Sequence, residues 1–299
     1  MAQGNFAWEP YGPYLERSRI RKFMDRHSIG SWQQLIERSA NDIDWFWRAA
    51  LEDLGVEWSQ PYEQLYDDSR GMPFTRWFLG GRINIAQNCL YRHVRDGRGA
   101  RTALLFEADD GSSRSITYAD LQALVDRLAA AMAVCRIGEG DVVAMCLPIS
   151  IEAVAIMLAT LKVGAISMQI GARISPPEVV ESLNRGQAKL LFMGDSYPRG
   201  GKWFDCQPLY EAALAEVPSL QRIVLLPRGE GRPLSDVKGI WWDDFLRSSY
   251  GGAWTLALDA EHPALVLFSS GTTGKSKAIV HSHGGALAQV IKEVGYAFD

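Results

Sequence analysis

The residues best suited to chemistry lie near the end of the chain. An apolar strand, Ala264–Phe268, runs straight into Ser269-Ser270-Gly271-Thr272-Thr273-Gly274-Lys275-Ser276-Lys277. Gly271 and Gly274 admit backbone conformations that other residues resist, and they leave consecutive N–H groups free to form a nest for phosphate oxygens. Ser269, Ser270, Thr272 and Thr273 add short hydroxyl donors. Lys275 and Lys277 add charge that stabilises a polyphosphate. A Walker loop would read Gly-x-x-x-x-Gly-Lys-Ser/Thr. Gly274-Lys275-Ser276 fits its second half, but its first glycine would fall at position 269, which is serine, and the pattern fails there. A plain surface turn does not account for the ordered run of hydroxyls and glycines.

The elements that position this loop are legible upstream. Ala103–Phe106 and Ser115–Ile116 flank Asp109-Asp110-Gly111, which predicts a β-hairpin. Thr117 then caps a long amphipathic helix with apolar residues at Leu121, Leu124, Val125, Leu128 and Ala129. Strands are predicted at Val142–Leu147, Ala165–Gln169, Lys189–Met193 and Gln221–Leu226, with helices at Ile151–Lys162 and Pro177–Arg185 between the first three. The alternation is that of a parallel sheet joined by right-handed crossovers. A looser Gly/Pro-rich stretch, 227–240, precedes the last apolar strand. After the loop come a strand at Ala278–His281 and a helix at Gly284–Val294.

Residues 1–95 have a different texture. They are rich in aromatics (Trp8, Trp32, Trp45, Trp47, Trp58, Trp77), with helical patterns at Ser31–Arg38 and Asp42–Leu54, each opened by a residue suited to N-capping. Helically spaced aromatics predict a helical cap whose tryptophans pack onto the main body. The fold class is therefore α/β, parallel-sheet layers flanked by helices, with an aromatic-rich helical N-terminal extension.

Bulk composition excludes several classes. The chain has 299 residues, 47% hydrophobic and 22% charged, with a net charge of −4. Its cations are scattered, which argues against a nucleic-acid partner. No run approaches the roughly 18 apolar residues of a membrane span, and the N-terminus has no signal-peptide pattern. Cys89, Cys135, Cys146 and Cys206 are far apart and lack zinc spacing. They read as buried, reduced thiols, and the expected location is the cytoplasm.

The segment Leu265–Gly285 resembles the signature loop of the adenylate-forming superfamily. The resemblance implies that Ser269, Ser270, Gly271, Thr272, Thr273 and Gly274 cradle ATP phosphates and that Lys277 is the family's lysine. Ser276 and Ala278 replace the usual proline and glycine. Asp42–Trp47 and Gly80–Leu90 resemble the N-terminal extension of acetyl-CoA synthetase-like enzymes, so that residues 1–95 form the extension and 96–299 a partial AMP-binding domain that stops after the phosphate loop. In that branch an Arg-Gly-Gly-Arg/Lys turn contacts the nucleotide end of CoA, which implies this role for Arg199-Gly200-Gly201-Lys202, whose residues alone also fit a solvated turn. Ile170-Gly171-Ala172 stands where Phe-Gly-Gly often lines the same site, so Gly171 joins the set. His281 and His283 lie two apart but have no third ligand for a metal.

The family's reaction joins a small-molecule carboxylate, ATP and CoA, with magnesium in the complete enzyme. The resemblance implies that the acyl-pocket segment, the Tyr-x-Thr-Glu magnesium glutamate and the catalytic lysine would all follow position 299. The expectation is an isolated chain without adenylating activity, built to activate short or medium acids once completed. Two other readings remain open: a non-catalytic nucleotide- or CoA-binding module, and one half of a split enzyme whose partner chain supplies the rest.

Overall fold

The computed structural model describes residues 11–108, 111–171, 175–199, 202–228, 239–249, 251–269 and 277–298. The chain opens with four helices: α1 (Pro13–Glu16), α2 (Arg19–Arg26), α3 (Trp32–Asn41) and α4 (Ile43–Asp53). Each of the last three starts where a side chain can accept an otherwise orphaned N–H. Ser18 accepts from Arg21, Ser31 from Gln34 and Asp42 from Trp45. Phe23, Met24, Ile29 and Leu35 form their core, with Trp45 packed against it. Next come β1 (Gln64–Asp67) and β2 (Arg76–Leu79), which pair antiparallel, then the two-residue β3 (Arg82–Ile83). Trp47, Trp58 and Trp77 pack around Leu65, Phe78 and Ile83, as the predicted cap requires. Trp32 does not; it stands exposed on α3. Trp8 lies outside the described residues. The extension is also less purely helical than its aromatic spacing suggests.

A π-helical turn, Gln87–Tyr91, and a kinked segment, Val94–Arg98, in which Gly97 has φ +80°, lead into the main body. The predicted hairpin is β4 (Thr102–Glu107) with β5 (Ser113–Thr117); Asp109 and Asp110 lie outside the described residues. Thr117 caps α5 (Tyr118–Val134) by accepting from Asp120. Then follow β6 (Val142–Cys146), α6 (Ile151–Lys162), β7 (Ile166–Gln169), α7 (Pro176–Gly186) and β8 (Leu190–Gly194). A small hairpin, β9 (Ser196–Arg199) and β10 (Lys202–Asp205), precedes α8 (Gln207–Glu216) and β11 (Arg222–Leu226). The chain continues through β12 (Gly239–Trp241), α9 (Trp242–Arg247), β13 (Leu258–Asp259), β14 (Pro263–Ser269), β15 (Lys277–Ser282) and α10 (His283–Ala297).

Seven strands form one sheet in the order β12-β11-β8-β6-β7-β14-β15, parallel throughout except that β15 returns antiparallel to β14. Helices cover both faces, so the central strands are apolar on both sides. The alternation is plain along β8: Leu190 and Phe192 join Leu128, Ile156 and Phe245 on one face, while Leu191 and Met193 join Leu183, Tyr210 and Val179 on the other. The four cysteines do not share one environment. Cys146 and Cys206 are buried as predicted, but Cys89 is exposed, because the π-helical turn carrying it buries Asn88 and Leu90 instead.

One charge is buried at the junction of α5, α6 and the π-turn. Lys162 has a side chain only 5% exposed and pairs with Asp126. Its Nζ also donates to the Tyr91 hydroxyl at 2.8 Å, and that hydroxyl donates to Asp126 at 2.5 Å. A buried ammonium without its counterion keeps the desolvation cost and loses the attraction. Asp126 is partly exposed, which screens the pair. Asp126→Ala is therefore expected to destabilise the fold by about 2 kcal/mol, and Lys162→Met by less than half as much. Urea unfolding of the two variants checks the asymmetry; equal losses would contradict it.

Candidate nucleotide and coenzyme A site

In an open parallel sheet, ligands collect outside the carboxyl ends of the strands. Here Leu267, Gln169, Met145, Phe192 and Val224 lie in register across five strands, which defines that edge. β14 runs two residues beyond this row to Ser269, and Ser269 is the direct Cα partner of Lys277 at the start of β15. Both residues are exposed. The sheet thus delivers the two ends of the 270–276 loop side by side at its carboxyl edge. Ser270, Gly271, Thr272, Thr273, Gly274 and Lys275 lie outside the described residues.

The second predicted constellation leaves the same edge. Gly171 is the second residue after β7: the N–H of Ile170 donates to the Met145 carbonyl at 2.8 Å, and the Cys146 thiol donates to the Gly171 carbonyl at 3.9 Å. Two strands away, β8 gives way to the β9–β10 hairpin, in which Arg199 is paired with Lys202 across the turn. Gly200 and Gly201 lie outside the described residues. The hairpin's base is closed by the Cys206 N–H donating to the Asp195 carbonyl at 3.0 Å. The Tyr197 and Phe204 rings stack at 5.4 Å and 12°, and Trp203 is 60% exposed beside Lys202. Flat aromatic faces with an adjacent ammonium suit a nucleobase carrying phosphate. Sequence reading missed this aromatic set. A Gly-Gly pair flanked by Tyr197 on one side and Trp203-Phe204 on the other is a short hairpin signal, and it was available.

The rest of the edge is held by charge and burial. Burial alone would push the Glu152 carboxyl up, but hydrogen bonds from Arg114 at 2.8 and 3.2 Å and the nearby charge of Arg228 outweigh it and hold it at about 2. Arg228 also reaches Ser150, the cap of α6, at 2.9 Å. Burial pushes the Cys146 thiol up to about 12 and the Cys206 thiol up to about 11, so neither is a nucleophile near neutrality.

At the other end of the β14–β15 pair the two histidines part company, because the strand ends at Ser282 and α10 begins at His283. His281 stays half-buried on the strand, opposite Leu265. His283 is fully buried, its Nδ1 accepting from the Ile85 N–H of the extension at 3.3 Å. Its backbone N–H donates to the His262 carbonyl at 3.0 Å, and the His262 ring contacts the Gly164 carbonyl at 2.8 Å. Burial, with a smaller contribution from His262, lowers the His283 pKa to about 3. Among the described residues no group of three His, Cys, Asp or Glu side chains could hold a metal ion.

Comparison with known proteins matches this geometry. Residues 91–298 match the family model for AMP-binding enzymes, and residues 32–89 match that for the acetyl-coenzyme A synthetase N-terminus. The chain belongs to the AMP-binding enzyme family. Its relatives include the acetyl-coenzyme A synthetases of Thiobacillus denitrificans, 35% identical over 90% of this chain and 41% of that protein, and of Sodalis glossinidius, 34% identical over 91% and 42%. The acetoacetyl-CoA synthetase of Streptomyces lividans has a similar structure, with a TM-score of 0.88 and 28% identity, covering 96% of this chain and 45% of that one. The chain therefore spans about two-fifths of the length of the relatives it matches.

Two buried groups carry a pH signature. The folded-state value of His283 lies below the ordinary 6.5, so its contribution to stability is complete above pH 6.5 and is lost as pH falls toward 3. Glu152 behaves in the same sense at lower pH, between its ordinary 4.5 and about 2. Urea unfolding is expected to show stability falling by up to about 1.4 kcal/mol per pH unit below pH 6.5. In His283→Ala most of the fall between pH 6.5 and 4.5 should vanish. An unchanged slope in that variant would contradict the assignment.

Proposed function

We propose that this chain supplies the ATP-gripping and CoA-gripping share of an AMP-forming acyl-CoA ligase. The observation that carries the reading is the Ser269–Lys277 pairing at the carboxyl edge of the sheet, with the Arg199–Lys202 hairpin leaving the same edge. In such a ligase a carboxylate oxygen attacks the α-phosphorus of ATP, pyrophosphate leaves, and the CoA thiol then displaces AMP from the acyl-adenylate. The residues here would act by positioning and by charge. The 270–276 loop would cradle the β- and γ-phosphates, Lys277 would stabilise their charge, and Gly171 with Arg199–Lys202 would hold the nucleotide end of CoA. Magnesium would neutralise the triphosphate in the complete enzyme. The substrate class is a short or medium carboxylate, and the expected location is the cytoplasm. Among the described residues no helix is long and apolar enough to cross a membrane.

A second reading is a nucleotide- or CoA-binding module without turnover. A partner chain carrying the remainder would reconcile the two. Calorimetric titration with ATP is expected to give saturable binding, weakened roughly tenfold or more in Lys277→Ala through loss of a charge-assisted hydrogen bond. ATP–pyrophosphate exchange with short carboxylates should stay at background for the chain alone. Absence of ATP binding would sink the grip, and clear exchange would sink the claim that the chain is catalytically incomplete.

A further inference from the structure

The β9–β10 hairpin leaves the sheet through one residue, Asp195, which stands between β8 and β9. Both of its backbone groups are bound. Its N–H donates to the Leu226 carbonyl at 3.1 Å, and its carbonyl accepts from the Cys206 N–H at the far end of the hairpin at 3.0 Å. Its carboxylate is a further hub: Oδ1 accepts from the Arg228 N–H at 2.8 Å and from the Ser196 hydroxyl at 3.0 Å. Arg228 follows β11, one neighbour of β8, and its side chain reaches the start of α6, which follows β6, the other neighbour. There Nη2 donates to the Ser150 hydroxyl at 2.9 Å and to Glu152 at 3.2 Å, while Arg114 of β5 holds Glu152 from the other side. Arg228 thus bridges the two strands that flank β8, where the hairpin emerges. The crossing is close: a side-chain carbon at Gly194, the last residue of β8, would lie 2.8 Å from the Ser196 carbonyl and 3.2 Å from Arg228 Cγ.

A hairpin this small is a lever. Its strands of four residues are about 13 Å long, so a tilt of about 10° at the base carries the tip about 2 Å. Cross-strand pairing puts Arg199 and Lys202 at that tip. A binding constellation has to be held within about 0.5 Å, so the base must be fixed far more tightly than the hairpin's own two strands can fix it. We infer that Asp195 and Arg228 are positioning residues for the CoA site: they clamp the base of the β9–β10 hairpin to the end of β11 and the start of α6, and so set where Arg199 and Lys202 stand. The inference rests on the CoA reading of that hairpin. Neither residue has to touch the coenzyme. Burying the Arg228 cation is costly, since its side chain is 18% exposed and its Nε has no partner among the described residues. Buried ion pairs return little net stability, and their best-attested use is to fix one arrangement among several. A purely structural pair is the rival reading, and it predicts losses that do not discriminate between ligands.

Calorimetric titration of the full chain with CoA and, separately, with ATP tests this, with hydrogen exchange of the β9 and β10 amides measured alongside. Asp195→Ala and Arg228→Met should each weaken CoA about tenfold, leave ATP within about twofold, and speed exchange in the hairpin about tenfold. Asp195→Asn keeps an acceptor oxygen at the hub and should bind CoA within about threefold of the parent. In the double variant the losses should fall well short of additive, because the two residues act as one clamp. If Asp195→Ala fails to fold, Arg228→Met decides. The proposal is overturned if the substitutions leave CoA affinity and hairpin exchange at parental values, or if ATP affinity and melting temperature fall in step with CoA affinity. A parent chain without CoA affinity removes the CoA reading instead; exchange then judges the clamp alone, faster exchange upholding it and unchanged exchange overturning it.

Discussion

The antiparallel pairing of β14 with β15 is the constraint on which the rest depends. Ordering any loop costs about 1–2 kcal/mol per residue in backbone entropy, and fixing its ends in advance lowers that cost; residues 270–276 form the loop that connects these two strands. The pairing fixes both ends of that loop one strand spacing apart, Ser269 against Lys277. It also sets where the loop stands, because β14 is locked in register to β7 and, through β6 and β8, to the whole sheet. The β9–β10 hairpin inherits its place from the same register, since it continues from β8.

The extension reaches this pairing from below. His283 and Gly284 follow β15 directly, and both touch the extension. His283 accepts from Ile85, and a side chain at Gly284 would meet Phe78 at 2.9 Å and Ala260 at 3.0 Å. Asn84, fully buried, donates to the carbonyls of Leu161 and Leu256, tying the same segment to the end of α6. The aromatic cap is therefore continuous with the sheet domain, through buried polar contacts at the end of the β14–β15 pair.

Much of this was legible because local signals agreed with the fold. α6 runs over Ile151–Lys162 as predicted, with the Ser150 hydroxyl accepting from Ala153 at its start. Thr117, Ser31 and Asp42 marked their helices for the same reason. The elements that escaped lack such signals. α8 begins after Cys206, whose side chain makes no cap, and α2 hides its apolar face among four basic residues. The β9–β10 strands are four residues each and read as a turn. The candidate phosphate loop stands out by residue type, whereas the stacking of Tyr197 on Phe204 depends on cross-strand register. His281 and His283 looked like neighbours on one strand, and only the break at Ser282 separates their fates.

Helix α10 is fastened at both of its ends to the same body. His283 is held at its start by Ile85, and near its finish the Tyr296 hydroxyl donates to Asp53 at 2.8 Å, beside Arg19 and Arg26. At 1.5 Å per residue, its fifteen residues span about 22 Å. The helix thus works as a ruler between two fixed marks. Adding or removing one residue would swing Tyr296 by about 100° and leave the Asp53 carboxylate without it, so length is specified here as strictly as composition.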